Sequence, residues 1–540
     1  MLQGTPILVL KEGTERERGK GATANNIAAA RAIADTVRTT LGPRGMDKML
    51  VDSMGDITIT NDGVTILKEV DVEHPAAKML VEVAKTQDQQ CGDGTTTAVV
   101  LAGELLKRSE HLLEQNVHPT VITRGFQLAV QEAKRLLDAE IGTPVKAGDE
   151  GTLVDCALTA MGSKGVAGSR EELAKIAVKA VEKIAENRGG KTVCDVDQIK
   201  VEKRHGGTIS DTELIEGIIL DKERGHPRMP GEVHEAKIAL MNSALEIKKT
   251  EIESKINIKS PSQIQSFLDE EDKTFRQMVA AIKASGANVV VCQKGIDDVV
   301  LHYLAKDGIY AVKQVKESDL QKLARATGGK IVTGIKELTS ADLGRAAKVD
   351  ERRVGEDKMT YVTGCSNPRS VSILVRGGTE HVTQEVERSL QDALKVVGSV
   401  LEDGVVCPGG GATEIDLAVK LRKWAGTVGG REQLAVEAFA QSLESIPWAL
   451  AENGGYDSIN VLIDLRSAHD GPQANRNIGV NLADGKVTDM VKLHVIEPAR
   501  VKRQALSSAA EVANMVLRID DVIASRKSGP APPPGGGHDH

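Results

Sequence analysis

Aromatic side chains are scarce in this 540-residue chain: 2 Trp, 4 Tyr and 4 Phe make up 2% of it. That scarcity removes the stacking platforms on which single-stranded nucleic acid binds, and it leaves the cores to Val, Ile, Leu and Ala. Basic runs are missing as well. With 69 Lys+Arg against 77 Asp+Glu the net charge is −8, which argues against a duplex-binding face, so no nucleic-acid partner is expected. The 6 cysteines include no C-x-x-C pair, which points to reduced thiols rather than a disulfide frame or a zinc site. No apolar run reaches membrane-spanning length, and Met1-Leu2-Gln3-Gly4-Thr5-Pro6 does not read as a signal peptide. A cytoplasmic protein with no membrane partner is the expectation. A Walker A loop is also lacking: at the nearest approach, Gly189-Gly190-Lys191-Thr192, Ala185 stands where the first glycine belongs. Rossmann and kinase signatures are absent, as is any internal repeat of about 20–50 residues.

What the chain does have is Cys91-Gly92-Asp93-Gly94-Thr95-Thr96-Thr97 running straight into a helical pattern, Ala98, Leu101, Ala102, Leu105. The first turn of a helix carries free N–H groups and the positive end of the helix dipole, so it attracts an anion. Glycines let the backbone approach closely, threonines add hydroxyl donors, and Asp93 can hold a hard cation such as Mg²⁺. A capped helix after a turn is the plainer reading. Three β-branched residues opening a helix are poor helix formers, however, which favours a phosphate-and-metal loop.

In chain order, Ile27, Ala30, Ala34, Val37 and Leu41 mark an amphipathic helix stopped by Gly42-Pro43. Residues 48–60 read as a hairpin, with Ile57 and Ile59 on one side and Thr58 and Thr60 on the other. Asn61-Asp62-Gly63 then turns, leaving the Asp62 carboxylate at a strand end. Helices are expected over 75–90, 95–115 and 119–140, a linker over 142–151, and helices again over 153–160 and 170–187, with Lys164 in the glycine-rich loop between them. Short β-branched runs at 217–220, 237–240, 288–291, 310–312 and 330–332 then alternate with helical stretches and indicate an α/β domain with a mainly buried sheet. A charged excursion at 245–275 carries Ile252, Ile256, Ile258, Ile264, Phe267 and Leu268. Such an arm is usually solvated, but its apolar residues suit docking. A helix holding Asp392 is expected over 384–400, and Pro408-Gly409-Gly410-Gly411 forms a second glycine loop before another helix. The Pro/Gly-rich tail from 529 reads as disordered. Met46, Met49, Met54 and Cys91 read as packing, and Trp424 and Trp448 as core or interface anchors.

Four motifs stand in the order seen in chaperonins: L-G-P-R-G-M-D-K-M-L (41–50), N-D-G-V-T-I-L (61–67), G-D-G-T-T-T (92–97) and P-G-G-G-A-T-E (408–414). The chain resembles a group II chaperonin subunit of the archaeal thermosome kind over residues 15–525. The 245–275 insertion falls where that group carries a helical protrusion. The resemblance implies a multidomain fold, mainly α in part and α/β in part, with nested domains. An equatorial ATPase domain (1–144 and 405–525, then a tail at 526–540) is interrupted by an intermediate domain (145–215 and 370–404), itself interrupted by an apical domain (216–369). It implies ATP and Mg²⁺ as cofactors, other chaperonin subunits in a stacked double ring as partners, and non-native polypeptides as clients. It also implies the site: Asp93 on the metal; Thr40, Leu41, Gly42, Pro43, Gly63, Gly94, Thr95, Thr96 and Thr97 around the nucleotide and its phosphates; Gly410 and Gly411 on the ribose side; Asn481, Ala483 and Glu497 near the adenosine; Lys164 sensing the terminal phosphate; and Asp62 and Asp392 positioning the water. Two other classes fit parts of the pattern: a phosphotransferase with a nested α/β substrate domain, and a structural ring protein without folding activity.

Overall fold

A computed structural model describes residues 14–146, 148–163, 168–247, 261–367 and 369–525. The chain divides into two compact units, one made of residues up to 144 together with those from 405 onward, the other of residues 145–404.

The first unit is mainly helical. Its helix Thr95–Glu114 buries residues on nearly every side, from Thr95 and Thr96 through Leu101, Leu105 and Leu106 to Leu112, as a helix surrounded by others must. Around it pack Lys20–Arg38, Pro75–Cys91, Pro119–Leu136, Ala412–Val428, Glu432–Leu443 and Ala499–Leu517. Gly103 makes a close approach: a Cβ there would lie 2.2 Å from Ala34 Cβ, on the first of these neighbours. With so few aromatics, one edge-to-face pair, Phe126 and Phe439 at 5.9 Å between centroids, sits among Ile27, Leu80, Ile122, Leu443 and Leu506. Each such aliphatic side chain taken from water contributes about 1.5–3 kcal/mol. The helix expected to reach 140 changes to a wider π-type turn at Leu137–Ile141, which delivers the chain to the short strand Thr143–Pro144 on one side of Val405–Pro408, whose other side pairs with Ile496–Pro498.

The hairpin forms as expected, with Lys48–Val51 antiparallel to Ile57–Thr60, and it is the apolar face that points outward. Thr60 is buried and Leu50 packs on the core, whereas the cross-strand pairs Met49–Ile59 and Val51–Ile57 face outward at 44–65% exposure. Met46 and Met54 are more open still. The reading of Met46, Met49 and Met54 as packing residues is therefore corrected: among the described residues nothing covers them. An exposed apolar sheet face of this kind marks a surface built to meet another. Trp424, by contrast, is partly buried against the helical core.

The second unit is mixed. A seven-stranded sheet runs in the order Tyr310–Val312, Val289–Cys292, Glu232–Met241, Gly344–Val354, Asp357–Cys365, Gly217–Leu220, with Ile331–Val332 on Glu232–Met241. Its first three strands are parallel and its last three pairings antiparallel. The alternating apolar runs exposed the parallel half. The long hairpin over 344–365 went unread because its strands carry charge on their outward positions. A three-stranded sheet (Lys200–His205, Ser372–Gly377, Glu213–Ile215) packs with helices Glu150–Ala160, Arg170–Ile184 and Glu380–Asp403. Of the charged excursion, the helix Pro261–Ser285 is described, and Leu268 on it is exposed. Ile252, Ile256 and Ile258 lie outside the described residues.

Candidate functional site

Helix Pro75–Cys91 ends at Gly92 (φ +73°), and the next helix starts after Gly94 (φ +76°). Both are left-handed conformations that glycine adopts without strain, so Asp93 is held on a reversal between two rigid helices. Its Oδ1 accepts the Gly94 N–H at 2.6 Å. Below it, the fully buried Gln87 donates through Nε2 to the Asp93 carbonyl (2.9 Å) and to the Val501 carbonyl (3.2 Å), tying the loop to the last long helix. Gly94 offers no capping side chain, and the opening N–H groups of residues 95–97 have no partner within the helix.

The Asn61-Asp62-Gly63 turn seats against this helix start. A Cβ on Gly63 would lie 2.6 Å from Thr96 Oγ1 and 3.2 Å from Thr95 Oγ1. Asp62 caps the helix Gly63–Glu69: its Oδ2 accepts from the Thr65 N–H at 3.0 Å and from the Thr65 hydroxyl at 2.7 Å, which fixes the carboxylate in place.

The second glycine loop lies between Val405–Pro408 and Ala412–Val428. The Gly410 carbonyl accepts from Val480 N–H and the Val495 carbonyl from Gly409 N–H, both at 2.9 Å. Gly411 backs onto Pro447, whose Cβ would be 2.8 Å from any Cβ at 411. Cys407 and Glu497 are paired across two antiparallel strands, and Glu497 Oε1 would lie 2.8 Å from a Cβ on Gly409. On another side, Thr40 is buried with its hydroxyl on the Val37 carbonyl, Asn453 donates to the carbonyls of Arg38 and Leu41, and Gly42 lies between Leu450 and Leu482. Leu482 belongs to the turn in which Asn481 Oδ1 accepts the Ala483 N–H at 3.0 Å. Thr97, Thr413, Glu414 and Lys502 line one recess.

The first unit thus links, contact by contact, residues 42 to 482, 410 to 480, 409 to 497, 63 to 95 and 96, and 93 to 87. Asp93 also acts electrostatically on Glu497, whose carboxyl is pushed up by burial and by the charges of Glu414 and Asp93, against the pull of Lys502. Asp392 is half-buried on Glu380–Asp403 of the second unit, and Lys164 lies outside the described residues. Cys91 is buried, as expected of a packed thiol, and burial pushes the Cys407 thiol up to about 12. Among the described residues no group of three His, Cys, Asp or Glu is placed to hold a metal. Asp93 beside the helix start suits Mg²⁺ nonetheless, since that ion keeps much of its water and takes one or two carboxylates plus substrate phosphates.

Gln87, Asn453, Glu414 and Lys502 escaped sequence reading. Two of them had a signal. Gln87 interrupts the apolar stripe Leu80, Ala84, Cys91, and Lys502 interrupts Ala499, Ala505, Leu506, Ala509. A polar residue on a buried stripe needs a partner.

A model of the TCP-1/cpn60 chaperonin family matches residues 33–527. The chain is 60% identical over 531 residues to thermosome subunit alpha of Thermoplasma acidophilum, covering 98% of this chain and 96% of that one. It is 57% identical to a thermosome subunit of Pyrococcus abyssi (97% and 95% covered) and 55% identical to thermosome subunit alpha of Archaeoglobus fulgidus (100% and 99%). Among the described residues no helix is long and apolar enough to cross a membrane.

Proposed function

The chain belongs to the TCP-1/cpn60 chaperonin family, and from that premise we propose that it is a group II chaperonin subunit. In this reading it binds and hydrolyses ATP with Mg²⁺ and uses the cycle to enclose non-native polypeptides in the cavity of a cytoplasmic double ring. The observation that carries the proposal is the chain of contacts that joins the Asp62 turn to the start of Thr95–Glu114 and the second glycine loop to the 480–483 turn, with Asp93 acting on Glu497 between them.

Chemistry follows from what these contacts join. The free N–H groups of residues 95–97 and the dipole of their helix hold the phosphates. Asp93 would hold Mg²⁺, which when bound neutralises phosphate charge. Residues 40–43, 410, 411, 481, 483 and 497 surround the nucleoside. Asp62, immobilised by Thr65, accepts a hydrogen bond from the attacking water as it adds to the terminal phosphorus and the bond to the bridging oxygen breaks. Asp392 serves the same water. Lys164 would report the terminal phosphate. The equatorial, intermediate and apical assignment given above follows the same reading, with 245–275 as a built-in lid. The exposed hairpin face of Met49, Val51, Ile57 and Ile59 is the surface a neighbouring subunit covers.

Limited proteolysis of the assembled protein tests the lid. Cuts mapped within 245–275 should be strongly suppressed by Mg·ATP. Equal cleavage with and without ATP, while ATP is being hydrolysed, rejects it.

A further inference from the structure

Beside the glycine loop lies a buried ion cluster. The Lys502 ammonium is 2.8 Å from Glu414 Oε1 and 2.7 Å from Glu497 Oε2, with the three side chains only 7%, 5% and 16% exposed. Stability alone explains it badly. Two carboxylates share one ammonium, leaving a net negative charge out of water, and a buried ion pair is commonly matched or bettered by apolar residues of the same volume. Lys502 also stands in the first turn of Ala499–Leu517, where the helix dipole disfavours a cation. Among the described residues no hydrogen-bond donor reaches either Glu414 oxygen in good geometry, so Lys502 is its sole compensation.

The arrangement has a direction. Glu497 gives Oε2 to Lys502 and turns Oε1 to the backbone of Gly409, where a β-carbon would intrude to 2.8 Å. The glycine leaves room there for a carboxylate whose position the lysine sets.

Resting on the nucleotide reading above, we propose that Lys502, buttressed by Glu414, is a positioning residue that holds the Glu497 carboxylate against the second glycine loop as an acceptor for the nucleoside's donors. The Oε1 turned to Gly409 is an acceptor, so its counterpart is a ribose hydroxyl or the exocyclic amine of adenine. The two carboxylates in turn keep Lys502 charged: burial alone would lower its pKa, but Glu414 and Glu497 hold it well above the ordinary lysine value.

The test compares ATP, 2′-deoxy-ATP, 3′-deoxy-ATP and purine riboside triphosphate as substrates of the assembled protein. A lost hydrogen bond to a charged group is worth roughly tenfold or more in affinity. Wild type should therefore show a KM about tenfold higher for the analogues lacking the matched donor, the deoxy pair or the purine riboside. In Lys502→Met the KM for ATP should rise by about that factor, far more than kcat falls, and the preference should shrink towards one. Lys502→Arg should recover part of it. Should Lys502→Met not assemble, Glu414→Gln/Lys502→Gln keeps the cluster's net charge and serves the same comparison. Failure of wild type to hydrolyse ATP would sink the nucleotide reading itself. A wild type that hydrolyses ATP but is indifferent to the analogues, or variants that keep its KM and preference, would overturn the role of Lys502 alone.

Discussion

Replacing either Asp62 or Asp392 by Ala is expected to lower ATP turnover by roughly 10²–10⁴-fold, the usual contribution of a group that orients or deprotonates the reacting water. Asp62 needs care, because its Oδ2 also caps a helix through Thr65, and losing a cap costs about 0.5–2 kcal/mol by itself. Asp62→Asn separates the two roles. The amide oxygen can still accept from Thr65, so thermal stability should stay near wild type, while a neutral acceptor serves the water poorly and turnover should stay low. Asp392 is on a helix of the other unit, so Asp392→Ala should bind nucleotide normally and fail only in hydrolysis. Native mass checks assembly in each case. Near-normal turnover in assembled Asp62→Asn and Asp392→Ala would remove both residues from the chemistry.

Charging the outward face of the hairpin should dissolve the assembly. Met49 and Ile59 are directly opposed across the two strands and largely exposed in the single chain. Met49→Asp/Ile59→Asp should therefore change the stability of the isolated subunit by little, within about 0.5 kcal/mol per site as for other surface changes. In a subunit contact the same pair would lose about 1.5–3 kcal/mol of burial per side chain and add the cost of desolvating two charges. The expected result is single subunits by native mass, with a melting temperature close to that of dissociated wild type. Retention of the full assembly would show that this face is not an interface.

The reading of the hairpin shows where sequence stops being legible. Period-two alternation separated its faces correctly, but alternation cannot say which face meets the core when the covering surface belongs to another molecule. The helices were easier. Lys20–Arg38, Pro75–Cys91 and Thr95–Glu114 announce themselves by spacing and by the glycines and prolines at their ends, because a local rule governs each. The phosphate loop was legible for the same reason: the N–H groups, glycines and Asp93 that define it are consecutive. What could not be read were partners brought in from afar. Gln87 bonding to Val501, Asn453 holding Leu41, and Lys502 between Glu414 and Glu497 depend on partners from other elements, which spacing along the chain does not identify. The antiparallel strands over 344–365 failed differently, since charged outward positions hid their alternation.

The most direct test of the account is recovery of a chemically denatured, aggregation-prone client enzyme by the assembled protein with Mg·ATP, with Mg·ADP, and with Mg·ATP and the Asp62→Asn variant. Mg·ATP with the wild type should restore client activity well beyond spontaneous refolding, and the other two conditions should hold the client without releasing it active. Equal recovery in all three conditions would contradict the claim that hydrolysis at this site drives folding.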